Sequence, residues 1–251
     1  MAKQQRRPAR PAGQVRRNKA APAQRFPPPK PPKKTASVAF DAHTPETEEP
    51  RTFRLGAVPG ATPGKWIDAW KQRMPHVPLE LVPIEAATAH DALAHLDAAL
   101  VRLPLTDAHG HAPSADAVHV IPLYDEVPVV VASIESHLLA ADELTLADLA
   151  GEVVMAPSDD ALAGFVVPGS VAPSFAPLTT ADAIATAATG IGVVVVPMSL
   201  ARLHHRKDAE HRVLVDGPTS TVALAWARDR TTPDVETFVG IVRGRTANSS
   251  R

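Results

Sequence analysis

The stretch from Thr180 to Pro197, TADAIATAATGIGVVVVP, decides how the rest of the chain is read. Its first half places small and apolar residues at helical spacing behind a threonine, which reads as a helix capped by Thr180. Gly190 stops that helix, because glycine enters the left-handed conformation at a helix end without steric cost. Gly192 to Pro197 then runs as an unbroken apolar segment, as a strand buried on both faces requires. A helix that delivers a buried strand is one half of a repeating β/α unit, so the same alternation is expected on either side.

Upstream, a short helix over 145–150 precedes a strand over 152–156 (EVVMA). Downstream, a short helix with Leu200 and Leu203 leads to a strand over 212–216, and TVALAWAR (221–228) is the last strand. Thr232 and Pro233 open a final helix in which Val235, Phe238, Val239 and Val242 fall at i, i+3, i+4 and i+7. Toward the amino terminus, FRLGAV (53–58) is a short strand that ends in PGATPG. Thr62 is expected to cap the next helix, with Pro63 in its first turn and Trp66, Ile67 and Trp70 on one face. LELVPI (79–84) is a strand, and Thr88 starts a helix with Leu93 and Leu96 inward. AALVRL (98–103), HVIPLY (119–124) and VPVVVAS (127–133) are further strands. The alternation predicts an α/β fold of mostly parallel sheets covered by helices. Two such runs over roughly 190 residues fit two small lobes better than one large sheet. Residues 51–130 with 219–245 are assigned to lobe I, and 131–218 to lobe II.

Charge divides the chain as sharply as periodicity does. Residues 1–40 carry eleven Lys or Arg and no acid, which leaves 15 basic against 27 acidic residues in the remainder. The stretch 1–50 is rich in Pro, Ala, Gln and basic residues, and FPPPKPPKK (26–34) favours extended polyproline geometry. With few large apolar side chains it is expected to be a disordered tail. It is either a solubilising tail or a non-specific nucleic-acid tether, since clustered cations release counterions from phosphates. No helix-turn-helix pattern or zinc spacing points to sequence-specific readout.

The chain has no cysteine, which excludes disulfides, thiolate metal sites and a thiol nucleophile. No apolar run reaches the ~20 residues of a spanning helix, and the basic start is not followed by the apolar core of a secretory signal. The expectation is a cytoplasmic protein without membrane contact. That disfavours the alternative of an exported solute-binding protein.

Candidate chemistry sits at strand ends and helix starts. Gly60, Ala61, Thr62, Pro63, Gly64 and Lys65 resemble a phosphate loop but miss it: the glycine spacing is one residue short, and Trp66 stands where magnesium chemistry needs a hydroxyl. Free N–H groups and the helix dipole still favour an anion at such a turn. Thr179 and Thr180 offer the same donors in the second run. Arg102, at the end of a strand, is either a bidentate clamp for a carboxylate or a partner in a surface salt bridge. Tyr124, Asp125 and Glu126 read as hinge or surface residues. His109 with His111, and His204, His205 and His211, lack the i, i+4 spacing of a zinc enzyme. There is no G-x-S-x-G elbow, so no enzyme activity, cofactor or metal is expected.

Taken together, FRLGAVPG, WKQRMPHVPLELV, LDAALVRLPL, PLYDEVPVVVASIESHLLAADELTLADLAGEVVMAP, DAIATAATGIGVVVVPMSLAR and VALAWARDRTTPDVETFVGIVR resemble the substrate-binding domain of LysR-type transcriptional regulators. That domain is itself similar to type 2 periplasmic binding proteins, and the likeness covers nearly all of 53–243. It implies two Rossmann-like lobes joined by two crossover strands, with a small-molecule effector between them. The implied contacts are Gly60, Ala61, Thr62 and Arg102 in lobe I, and Ser158, Asp159, Thr179 and Thr180 in lobe II. A carboxylate effector and a homodimer are the expected partners, with a weak nucleic-acid contact through 1–40. Three departures stand out. Gly60–Ala61 replaces a residue that often bears a hydroxyl, the segment from Asp159 to Pro177 is short and Pro-rich, and the basic tail stands where the family has its winged helix-turn-helix. The expected role is therefore a sensor in transcriptional regulation without its own DNA-reading helix.

Overall fold

The computed structural model describes residues 50–244 apart from Ala108, Ala115, Asp160 and Ala163. The expectations for the basic tail, including its polyproline stretch, lie outside the described residues. In chain order, the strand β1 (Phe53–Ala57) is followed by the helix α1 (Gly64–Arg73) and the strand β2 (Leu79–Pro83). The short helix α2 (Ala89–Ala92) leads to β3 (Ala98–Leu103), β4 (Val118–Glu126) and β5 (Pro128–Ser133). Two two-residue strands, β6 (Glu143–Leu144) and β7 (Val154–Met155), precede α3 (Thr180–Ala188) and β8 (Val193–Pro197). The chain closes with α4 (Met198–Leu203), β9 (Ala209–Leu214), β10 (Ser220–Ala227) and α5 (Pro233–Val242).

These strands form two five-stranded sheets, one ordered β2-β1-β3-β10-β4 and the other β6-β9-β5-β8-β7. The chain leaves the first sheet at Glu126 and enters the second at Pro128, then returns between Leu214 and Ser220. The lobe boundary therefore falls at Val127, a few residues before the expected 130/131, because Pro128–Val130 already pair with β8. Near the return, a Cβ on Gly217 would lie 2.6 Å from Leu214 Cδ2 and 3.1 Å from Pro128 Cγ. Only glycine lets the two crossover segments approach so closely.

The expectation of mostly parallel sheets needs correction. β1–β2, β1–β3, β6–β9 and β7–β8 pair in parallel. β3–β10, β4–β10, β5–β8 and β5–β9 are antiparallel. Each crossover strand enters its new sheet against the direction of its neighbours, so the two crossings supply all four antiparallel pairs. The helix expected from Thr88 is also broken, into a 3-10 turn at Ala86–Thr88, the four residues of α2 and a second 3-10 turn at Leu93–His95. The helix expected over 145–150 is a 3-10 turn, Leu146–Leu149. Only two residues of the expected strand 152–156 pair regularly, and Val153 adds an isolated bridge to Val171.

Both sheets are covered on both faces. In the first, Phe53, Leu55, Leu100 and Leu224 meet α1 and α5, while Ala99, Val101, Ala223 and Ala225 meet Ala89, Leu93 and Leu96. Alternate residues of one strand thus serve opposite cores. In the second, Val129, Val131, Val194 and Val196 pack on Ala183, Ile184 and Ala187 of α3. Val130, Val193 and Val195 face Leu138, Leu149 and Leu162. All three tryptophans lie in the first lobe, where Phe53 stacks on Trp70 and Phe238 at centroid distances of 4.5 and 5.0 Å. Trp70 donates its indole N–H to the Val77 carbonyl at 2.8 Å, so its burial leaves no polar atom unpaired. Phe238→Ala is expected to cost about 3–5 kcal/mol, because a fully buried ring would leave a cavity. Urea unfolding monitored by tryptophan fluorescence measures it.

Candidate functional site

The first lobe brings the carboxyl ends of two parallel strands, β1 and β3, to one place. After β1 the chain turns through Gly60 at φ +84°. A Cβ there would lie 2.7 Å from Ser199 Oγ and 3.1 Å from Arg102 Nη2, so both the backbone conformation and the packing demand glycine. Ala61 donates its N–H to the Val58 carbonyl at 3.1 Å and packs against the core. Thr62 is exposed and caps nothing: the residue before α1 is Pro63, with no side-chain cap, so the expected Thr62 cap is corrected.

Arg102 is neither an open clamp nor a surface salt bridge. Its side chain is 5% exposed and pairs with Glu126, itself 4% exposed. Nε donates to Glu126 Oε2 at 2.7 Å and Nη2 to Oε1 at 3.3 Å. Nη2 also donates to Ser199 Oγ at 3.2 Å, and the Ser199 hydroxyl donates to Glu126 Oε1. The sheet register explains the meeting: Arg102 lies opposite Val222 of β10, and Val222 lies opposite Tyr124 of β4. Side chains of Arg102, Tyr124 and Glu126 therefore share one face of the sheet. Ser220, opposite Glu126 on that face, has a buried hydroxyl without a hydrogen-bond partner. Burial and the Glu126 charge push the Tyr124 phenol above its ordinary pKa, against the opposing pull of Arg102.

Ser199 belongs to the other lobe. It follows β8, whose parallel partner β7 leads to Ser158 and Asp159. Ser158 is exposed, and its backbone N–H reaches the Leu178 carbonyl at 2.7 Å. Asp159 Oδ1 accepts from both the N–H (2.7 Å) and the hydroxyl (2.8 Å) of Thr180. Thr179, not Thr180, is the cap of α3. Its hydroxyl oxygen accepts from the Asp182 N–H at 3.2 Å, and its hydroxyl donates to Asp182 Oδ2 at 2.8 Å. The capping shift of one residue follows from burial, since Thr180 is 1% exposed and sits inside the helix. This helix start therefore already holds the protein's own carboxylate.

The expected residues thus form two groups. Gly60 and Arg102 meet in lobe I, while Ser158, Asp159, Thr179 and Thr180 meet in lobe II. Ser199 links the first group to the second lobe, and the Met198 N–H to Val127 carbonyl bond (2.9 Å) ties α4 to the crossover. Glu126 and Ser199 were not singled out as site residues from sequence. An acid ending the strand before the crossover was the one available signal for Glu126. Cavities of about 410 and 540 Å³ lie elsewhere in lobe II, one lined by Met155, Leu162, Phe165 and Val195 and one by Ser133, His137 and Glu152. None of the expected site residues lines either. Among the described residues no group of three or more His, Asp or Glu is placed to hold a metal ion, and no helix is long and apolar enough to cross a membrane.

The LysR substrate binding domain model matches residues 46–247. The chain is 25% identical over 217 residues to the Hca operon transcriptional activator HcaR of Escherichia coli (strain K12), covering 80% of this chain and 70% of that protein. The reduced OxyR regulatory domain from Pseudomonas aeruginosa is similar at a TM-score of 0.58 and 21% identity, over 77% of this chain and 98% of that one. The BenM effector binding domain with its effector benzoate is similar at a TM-score of 0.61 and 18% identity, over 77% and 91%. The two-lobed α/β fold is thus that of regulatory effector-binding domains.

Removing either member of the Arg102–Glu126 pair leaves a buried, uncompensated charge. Arg102→Ala and Glu126→Ala are each expected to lower stability by about 3–5 kcal/mol. The double variant should lose clearly less than the sum, and a denaturant-unfolding double-mutant cycle reads the difference.

Proposed function

The chain belongs to the LysR substrate-binding domain family, and we propose that it senses a small organic effector held between its two lobes. One observation carries the reading. The Ser199 contact joins the carboxyl ends of the parallel pair β1/β3 in one lobe to those of β7/β8 in the other. Crevices outside the carboxyl ends of parallel strands are where α/β folds place ligands. The proposed contacts are Gly60, Ala61 and Thr62 from lobe I and Ser158, Asp159, Thr179 and Thr180 from lobe II, with Arg102 behind them. A ligand that touches both sides shifts the lobes toward the arrangement it binds best, and that shift is the signal. The role is regulatory, with no reaction assigned to any residue.

A carboxylate effector, the class suggested by the Arg102 strand end and by benzoate in BenM, has to displace Glu126 from the guanidinium. A thermal-shift screen of small carboxylates, amino acids and their neutral analogues tests the sensing role. A ligand at 100 times its Kd stabilises the native state by about 2.7 kcal/mol. For a body of this size that raises Tm by roughly 5–10 °C. Failure of every compound in a broad screen to shift Tm would count against the proposal.

A second reading rests on the eleven cations and no acid in residues 1–40. We propose that this tail gives the protein a salt-sensitive, sequence-independent contact with nucleic acid. If six or more of these cations reach phosphates, affinity for duplex DNA falls about 10³-fold or more between 50 and 200 mM salt. Deleting residues 1–40 should abolish the mobility shift, and an unchanged shift excludes the tail.

A further inference from the structure

Two of the groups expected to seek an anion, Arg102 and the start of α3, are already served by carboxylates of the chain itself. The Arg102 guanidinium is paired through Nε and Nη2 with Glu126, and both side chains are almost fully buried. The start of α3 gives the Thr180 N–H and hydroxyl to Asp159 Oδ1, and the Asp182 N–H goes to the Thr179 hydroxyl. At both of these places an incoming carboxylate would meet an acid already in position.

The acceptor atoms that these pairings leave over have the opposite character. Asp159 is exposed at the carboxyl end of β7, and its hydrogen bonds among the described residues all fall on Oδ1, leaving Oδ2 open. Glu126 Oε2 accepts a single hydrogen bond, from Arg102 Nε. Beside Glu126, on the same face of the sheet, the buried Ser220 hydroxyl has no partner. A polar group buried without a partner is uncommon. The body as a whole repels anions, with 27 acidic against 15 basic residues beyond residue 40.

We propose that the effector presents a nitrogenous, donor-bearing head (an amine, amidine or amide) to Asp159, and that Glu126 excludes carboxylates by keeping Arg102 occupied. This assignment rests on the sensing role proposed above and adds the ligand class to it. An ammonium or amide N–H donates to Asp159 Oδ2 in a charge-assisted hydrogen bond, and nothing in the chain has to be displaced. Discrimination arises from repulsion of the wrong ligand as much as from attraction of the right one.

The test uses head groups changed on fixed skeletons: benzamidine, benzamide and benzoate, then butylamine, butyramide and butyrate. Calorimetric titration of the full chain should show the nitrogenous member of at least one set binding ten-fold or more tightly than its carboxylate. Asp159→Asn should lower affinity for the cationic member ten-fold or more and affect the neutral amide less. Glu126→Gln should bring carboxylate binding up toward the amide. Carboxylates that bind the unaltered protein as tightly as amines or amides overturn the assignment and leave the sensing role standing. So does a preference that survives Asp159→Asn. If no member of either set binds but a wider screen finds ligands, their head groups decide the same question on the unaltered protein. A wider screen without any ligand withdraws the sensing role and this assignment with it.

Discussion

A guanidinium and a carboxylate buried together must satisfy each other, because neither can return to water without the lobe opening. That constraint organises the centre of this molecule. Arg102 and Glu126 come from β3 and β4, separated by β10, so their pairing fixes the spacing across three strands of the first sheet. Ser199 completes the set from the second lobe, and the turn at Gly60 has to be glycine because Arg102 and Ser199 fill the space beside it. The chain leaves the first sheet immediately after Glu126. Any change at this pair therefore reaches the place where the two lobes are joined.

The lobes solve their packing differently. The first gathers Phe53, Trp66, Trp70, Trp226 and Phe238 into one cluster. The second is built from valine and alanine, with α3 lying over β5 and β8 through Ala183, Ile184 and Ala187. Small side chains bring backbones close: a Cβ on Gly192 would lie 2.5 Å from the Val153 carbonyl oxygen. Each aromatic side chain of the first lobe buries more apolar area than a valine or alanine does, whereas the aliphatic lobe depends on close approach of its backbones.

How far the sequence could be read depends on the range of the interactions involved. The strands around Phe53, Ala98 and Val193 and the helix after Thr232 were legible because periodicity and capping are local. Thr232 accepts from the Val235 N–H, as the spacing implied. The break in the helix around Ala89 and the one-residue displacement of the α3 cap were not legible, since both depend on which side chains the neighbouring sheet buries. The candidate residues separated into two groups for the same reason: strand ends can be located from sequence, whereas their partners cannot.

The sequence by itself determined the alternation of strands and helices, the two-run organisation, the charge contrast between residues 1–40 and the rest, and the family. Each of these is carried by residue types at short, fixed spacing. Only the tertiary structure decided that half of the strand pairings are antiparallel, that Arg102 belongs to Glu126 and that Asp159 occupies the start of α3. The partners in those two contacts are 24 and 21 residues apart along the chain. They meet through sheet register and crossover geometry, which no local pattern encodes.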